Sequence, residues 1–255
     1  MSLVGEHLTL NRRQGTGLDA VSITLRAGSL HALLGPNGSG KSTLLGLLAG
    51  EQTAHAGRVL CDGDRVDQLG AAELARRRAV LTQDEQLRFG FPVREVVRLG
   101  RMAWAPEPAA SVRDSVARAL ETVDAGHLAD RSYTQLSGGE RRRVQLARVL
   151  AQLDGGGRYL LLDEPTAHLD LDHGQQLMAA VARIAAAGVG VLVVLHDPNL
   201  ASRWADEATL LRGGRVLAHG KAGDTLTADK LGAMYGTAIR ASRSALGHPL
   251  FEADR

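Results

Sequence analysis

The sequence predicts an α/β fold with a mostly parallel sheet, an antiparallel β portion and an inserted helical portion. Three observations predict it. A glycine-rich loop joins a short apolar strand to a helix. Strands alternate with helices in the second half of the chain, as they do around parallel sheets. Between residues 84 and 153, helical periodicity replaces strand periodicity. We expect one domain over residues 1–255.

The glycine-rich loop fits the pattern G-x-x-x-x-G-K-[ST] and reads Gly35-Pro36-Asn37-Gly38-Ser39-Gly40-Lys41-Ser42-Thr43. Its glycines let successive amides point into one concavity, and the dipole of the following helix adds attraction for phosphate. Lys41 is placed to reach the β- and γ-phosphates, and Ser42 offers a hydroxyl to Mg²⁺. The loop therefore predicts a P-loop NTPase (RecA-like) core that binds nucleotide phosphates and Mg²⁺.

Strand-like runs dominate the first third of the chain, at residues 3–10, 20–26, 29–34 and 57–62. We expect these four runs to form the antiparallel β portion beside the loop. Another apolar run, 78–82, predicts a strand that ends at Gln83.

Helices are predicted next, one opened by Pro92 and one over residues 109–123. We expect residues 84–153 to form a helical subdomain inserted into an α/β core, which with the β portion covers residues 1–83 and 154–240. The tail from Ala241 has no pattern that predicts structure.

Polar residues follow the buried strands predicted at 158–162 and 190–195. Asp163 and Glu164 come after the first strand and His196 after the second. Ligands of parallel sheets bind at the carboxyl ends of the strands, so we expect one crevice to collect these side chains, Gln83 and the loop. Asp163 is an acid of the Walker B type that holds Mg²⁺, and Glu164 can orient the attacking water or take its proton.

Composition and charge disfavour several classes of function. The net charge is +2, and the basic runs 76–78 and 141–143 have no interleaved aromatic residues, so we expect no nucleic-acid partner. A single cysteine, Cys61, suits a reducing compartment. The sequence has no apolar run that could span a bilayer and no signal-peptide pattern, so we expect a cytoplasmic protein.

A second glycine-containing motif, LSGGE, contains Ser137, Gly138, Gly139 and Glu140. Ser137 is a good N-cap, and the glycines leave amides accessible at the start of a helix expected over 140–150. The motif is therefore a second anion-binding helix terminus.

The motifs GPNGSGKST, Gln83, LSGGE, YLLLDEP, AHLD and LHD occur in this order and together resemble the ATP-binding cassette ATPases over nearly the whole chain. The resemblance implies a head-to-tail homodimer in which the LSGGE motif of one subunit completes the ATP site built on Lys41 of the other. It makes His196 a switch histidine near the γ-phosphate and Asp170 an acid at the dimer seam. Gln83 would link Mg²⁺ and water to the helical subdomain, with Glu164 as the catalytic base.

Within that family, residues 91–101 are similar to the importers of iron chelates, haem and cobalamin, and the runs 146–153, 158–171 and 194–206 are most like haem importers. This resemblance implies a subunit at the cytoplasmic face of the inner membrane that drives two permease subunits, served indirectly by a periplasmic or surface haem-binding protein. Ferric siderophore or cobalamin import is the alternative. A non-transport ATPase of DNA repair or translation is more remote, since such chains usually insert long coiled coils or carry two cassettes.

The sequence departs from the family pattern at three places. Arg12 occupies the position where such cassettes usually stack an aromatic residue on adenine, which would weaken base recognition. The D-loop reads Ala167-His168-Leu169-Asp170, which leaves Asp170 in place. Arg142 replaces a glutamine common after the LSGGE motif, and we expect this change to be harmless.

Overall fold

The computed structural model describes residues 1–11, 17–82, 90–167, 169–245 and 247–254. The strands are β1 (Ser2–Leu10), β2 (Leu18–Arg26), β3 (Leu30–Leu34), β4 (Ala56–Cys61), β5 (Asp64–Arg65), β6 (Arg78–Leu81), β7 (Tyr159–Asp163), β8 (Gly190–Val194), β9 (Glu207–Arg212), β10 (Arg215–Lys221), β11 (Ile239–Arg243) and β12 (Pro249–Ala253). The α-helices are α1 (Lys41–Leu48), α2 (Ala71–Arg77), α3 (Val93–Arg98), α4 (Ala109–Thr122), α5 (Gly138–Leu153), α6 (Leu171–Ala186), α7 (Pro198–Trp204), α8 (Ala222–Thr225) and α9 (Ala228–Tyr235). Short 3₁₀ turns cover Val66–Gln68, Leu99–Trp104, Gly126–Leu128 and Tyr133–Gln135.

The central sheet has six strands in the order β10-β9-β3-β8-β7-β6, and only the β9–β10 pair is antiparallel. Leu33 of β3 and Asp163 of β7 both lie opposite Val194 of β8. The carboxyl ends of these three strands therefore meet at one edge of the sheet. The loop after β3, the acids at the end of β7 and His196 after β8 lie along that edge.

The antiparallel sheet has the order β2-β1-β4-β5 and lacks one run that we expected in it. Residues 29–34 instead form β3, an interior strand of the parallel sheet between β8 and β9. All five residues of β3 are buried. A continuous apolar run without alternation is typical of a parallel strand covered on both faces, and here it was assigned to the wrong sheet.

Two hydrophobic cores lie on opposite faces of the parallel sheet. On β7, Tyr159 and Leu161 pack into the core shared with α1 and the antiparallel sheet, whereas Leu160 and Leu162 pack into the core shared with α3 to α6. This alternation follows from the twofold side-chain period of a strand. The predicted α/β fold with a mostly parallel sheet is confirmed.

The helical portion is organised around α5. Helices α3 and α4 both contact α5, which in turn contacts β6 and β7. Helix α5 runs from Gly138 to Leu153, so it begins two residues earlier and ends three residues later than expected. The LSGGE motif therefore begins the helix that packs against β6 and β7.

The tail from Ala241, for which the sequence made no prediction, contains part of a two-stranded antiparallel sheet, β11–β12. Phe251 of β12 is buried, and the side chain of Asn199 on α7 forms hydrogen bonds with both the amide and the carbonyl of Phe251. Asn199 Oδ1 accepts from the Phe251 amide at 2.7 Å, and Asn199 Nδ2 donates to the Phe251 carbonyl at 3.2 Å. The C-terminal hairpin thus fixes the helix that follows His196.

Candidate nucleotide site

The loop between β3 and α1 has the backbone that its glycines allow. Gly38 and Gly40 adopt positive φ angles of 75° and 103°. A Cβ atom on Gly35 would lie 2.3 Å from the Leu211 carbonyl oxygen, so no larger residue fits there without a shift. Helix α1 begins at Lys41 with no side-chain cap. Its first amides are therefore available to an anion at the positive end of the helix dipole.

Lys41 places a buried ammonium group inside this loop. Its side chain is 6% exposed, and Nζ donates to the carbonyls of Gly35 at 2.8 Å and Pro36 at 3.1 Å. Burial lowers the pKa of Lys41, while the carboxylates of Glu164 and Asp163 oppose that change. An ammonium group held here can neutralise phosphate charge.

Asp163, the last residue of β7, is 5% exposed, and its Oδ1 atom has no hydrogen-bond partner among the described residues. Burial raises the pKa of Asp163, whereas a hydrogen bond from the Ser42 hydroxyl opposes the rise. A buried carboxylate oxygen beside a serine hydroxyl suits a hard cation such as Mg²⁺. The described residues contain no cluster of three or more His, Cys, Asp or Glu able to hold a metal, so such a cation would take its other ligands from phosphate and water.

Glu164 and His196 meet at the same edge of the sheet, although they lie on different strand ends. His196 Nε2 is 2.5 Å from Glu164 Oε1. Glu164 has a φ of 48°, in the left-handed region that a side chain disfavours. Its side chain is 15% exposed, whereas that of His196 is 48% exposed. A carboxylate and an imidazole in contact at a partly open edge can share and move a proton.

Two residues that the sequence did not single out as functional hold the backbone of this pair. Tyr235 of α9 donates its hydroxyl to the His196 carbonyl at 3.0 Å, and burial raises the pKa of this tyrosine. Arg142 of α5 donates to carbonyls around Glu164. No sequence signal identifies either contact, because each partner lies more than twenty positions away. The Arg142 contacts are a reason to revise the expectation that this residue is harmless.

The LSGGE motif forms a capping box at the start of α5. The Ser137 hydroxyl accepts from the Glu140 amide at 3.3 Å, and a Glu140 carboxylate oxygen accepts from the Ser137 amide at 2.7 Å. A Cβ atom on Gly138 would meet open space. Across the described ranges, no hydrogen bond or ion pair joins this motif to the loop at 35–43. Within the described residues of one copy, the starts of α1 and α5 are therefore not joined by such a contact.

Asp170 caps α6, where its carboxylate accepts from the His173 amide at 2.9 Å. That bond is the main reason why the pKa of Asp170 is lowered, and the His173 side chain adds to it. The next residue, Leu171, is 82% exposed. Arg12 and Gln83 lie outside the described residues, as does His168 of the D-loop.

A family model described as ABC transporter matches residues 18–167. The chain belongs to the ABC transporter family. It is 47% identical to the hemin import ATP-binding protein HmuV of Pseudomonas fluorescens (strain Pf0-1), over 97% of this chain and 98% of that protein. The HmuV protein of Bordetella pertussis (strain Tohama I) is 46% identical, over 98% of this chain and 96% of its own length.

Solved structures of ABC cassettes have the same fold. A chain of a transporter assigned to the metal-chelate type, in an inward-facing conformation, superposes with a TM-score of 0.84 and 25% identity, covering 100% of this chain and 98% of its own. The bacterial cassette MJ0796 superposes with a TM-score of 0.77 and 26% identity, covering 86% of this chain and 98% of its own. It was solved as a dimer and as a dimeric post-hydrolysis state with ADP and Pi.

Membership in this family makes the chain an ATP-binding, ATP-hydrolysing ABC cassette, as the sequence predicted. No helix in the described part of the chain is both long and apolar enough to cross a membrane.

Proposed function

We propose that this ABC ATPase drives the import of hemin through a membrane permease. One observation carries the proposal: relatives 46–47% identical over nearly their full length are named hemin import ATP-binding proteins. The residue runs that resembled haem importers cover the second half of α5, β7 and the segment around His196. The proposal places the subunit at the cytoplasmic face of the inner membrane, with two permease subunits and, indirectly, a haem-binding protein.

The phosphates of ATP would lie against the loop at 35–43 and the uncapped start of α1, with Lys41 at the β- and γ-phosphates. Ser42 and Asp163 would hold Mg²⁺, together with Gln83 on the strength of the family resemblance. The cation supplies neutralisation of phosphate charge when bound. The buried, unpartnered Oδ1 of Asp163 and the neighbouring Ser42 hydroxyl support this assignment.

Glu164 would orient the attacking water and accept its proton, and His196 would lie at the γ-phosphate side of the same edge. Their 2.5 Å contact supports a shared role, because the imidazole can hold the carboxylate towards the nucleotide. The remaining parts come from a second copy. Ser137, Gly138, Gly139 and Glu140 would complete the site of the partner subunit, and Asp170 would lie at the seam. The separation of the LSGGE motif from the loop within one chain supports the dimer. Arg12 would lie at the adenine.

The catalytic part of the proposal is tested with Glu164→Gln. This change keeps the size of the side chain but removes the base, and general base catalysis contributes about 100-fold or more to a rate. We expect ATP hydrolysis to fall by that factor while ATP affinity remains and ATP-bound dimers accumulate on size-exclusion chromatography. Undiminished turnover would remove Glu164 from the base role.

The substrate is tested in the native host. Deletion of the gene should abolish growth with hemin as the only iron source, and a plasmid copy should restore it whereas a Lys41→Ala copy should not. Growth loss on a ferric siderophore, or a loss of cobalamin uptake, with hemin use intact would replace hemin by that substrate. The genes beside this one give an independent check, because a hemin importer needs a permease and a haem-binding protein.

A further inference from the structure

Arg142 donates hydrogen bonds to four backbone carbonyls that come from two different strand ends. Nη1 donates to Thr82 at 2.9 Å, just beyond β6, and Nε donates to Pro165 at 3.3 Å. Nη2 donates to Asp163 at 2.5 Å and to Glu164 at 2.9 Å. A guanidinium group presents its donors in a rigid planar fork, so it can hold several oxygens in one fixed arrangement.

The three carbonyls at the end of β7 surround a residue with an unfavourable backbone conformation. Glu164 has a φ of 48°, and this left-handed conformation costs a residue with a side chain about 1 kcal/mol or more. Arg142 bonds the carbonyl of Glu164 itself and those of both neighbours, Asp163 and Pro165. The peptide planes on either side of Glu164 are thereby fixed, and with them the direction of its side chain.

We propose that Arg142 is a positioning residue that keeps Glu164 in its left-handed conformation and so directs its carboxylate to the water. The inference rests on the base role assigned to Glu164 above. Arg142 also connects the Glu164 backbone to the LSGGE motif, because it lies on α5, the helix that Ser137 caps. A shift of α5 along its axis would move the guanidinium against the Glu164 backbone.

The test compares Arg142→Lys and Arg142→Met with the wild type. Lysine keeps the charge but presents a single ammonium group, and methionine keeps an unbranched side chain without a donor; neither can bond all four carbonyls. We expect kcat for ATP hydrolysis to fall roughly 10- to 100-fold in each, because displacement of a catalytic group by about 1 Å costs that much. Affinity for ATP should stay unchanged, since the groups at 35–43 are intact. Arg148→Lys, six residues further along α5, is the matched control and should keep the wild-type kcat.

A double-mutant cycle separates positioning from general support of the fold. If Arg142 acts through Glu164, adding Arg142→Lys to Glu164→Gln should change the residual single-turnover rate by less than about twofold. If the double variant loses the product of the two single-variant losses in rate, the inference is overturned. A wild-type kcat in both Arg142 variants would also overturn it, and either result would leave the proposed function in place. A parallel fall in ATP affinity and kcat would also overturn it. Failure of the proposed function has a different signature, namely full activity of Glu164→Gln alone.

Discussion

The two halves of the proposed nucleotide site are built in different ways. The phosphate half consists of nine consecutive residues, Gly35 to Thr43, and its groups are backbone amides, a buried lysine and a serine. The hydrolytic half consists of Asp163, Glu164 and His196, which come from two strand ends. Its backbone is held by side chains from elsewhere, Arg142 of α5 and Tyr235 of α9.

The difference has a consequence for what a mutation can do. In the phosphate half the functional groups are largely backbone, so substitutions there act on binding. In the hydrolytic half, side-chain direction depends on contacts more than twenty residues away in sequence, so substitutions there can lower the rate and leave binding intact. The predictions below test this division.

The largest effect is expected from Lys41→Ala. Loss of the buried ammonium group removes charge-assisted contacts to phosphate that contribute up to about 3 kcal/mol, so we expect ATP affinity to fall about 100-fold. Equilibrium titration with a fluorescent ATP analogue measures this affinity. Lys230→Ala, an exposed lysine on α9, is the control. Unchanged affinity in Lys41→Ala would mean that the loop does not bind phosphate.

The same division separates what the sequence predicted from what it did not. The loop at 35–43 could be recognised because its glycines, lysine and hydroxyl are consecutive and each has a local physical reason. Asp163, Glu164 and His196 could be placed at one edge because parallel strands align their carboxyl ends. Arg142 could not be assigned a contact, because its four carbonyls meet only after α5 packs against β6 and β7.

Strand pairing was the other limit. Residues 29–34 and 57–62 are both short strand-like runs, yet one is an interior parallel strand and the other, β4, belongs to the antiparallel sheet. The pairing partner of a strand is decided by contacts far away in sequence. The C-terminal hairpin was missed for a related reason, since the residues of β11 are mostly exposed and its partner β12 is fixed by Asn199 of α7.

An intermediate effect, on stability, is expected at His31 in β3, the strand that leads into the loop. Its ring is 1% exposed and Nε2 bonds Thr209 Oγ1 at 2.8 Å. Burial, with smaller contributions from the charges of His219 and Arg26, lowers the pKa of His31 from 6.5 to about 4, and Glu207 lies 3.5 Å from Nδ1. As pH falls from 6.5 to 4 the unfolded chain binds a proton that the folded chain does not, so stability decreases.

We expect proton binding to His31 in the unfolded chain to lower the free energy of unfolding by about 3 kcal/mol as the pH falls from 6.5 to 4. Urea unfolding of the wild type and of His31→Gln across that range measures it, because glutamine does not titrate. The difference between the two pH slopes isolates His31 from the carboxylates that both proteins share. Parallel slopes would show that His31 is protonated in the folded protein.

The smallest effect is expected from Tyr235→Phe, and it decides whether the hydrolytic half depends on the C-terminal segment. The substitution removes one hydrogen bond to the His196 carbonyl, about 1 kcal/mol, so kcat should fall about fivefold or less with ATP affinity unchanged. The control is Tyr159→Phe, which removes a hydroxyl bonded to Asp62 at the other end of β7 from Asp163. If Tyr159→Phe lowers kcat equally, the effect is one of general stability. If only Tyr235→Phe does, α9 holds His196 in place, and the hydrolytic half reaches from α5 to α9.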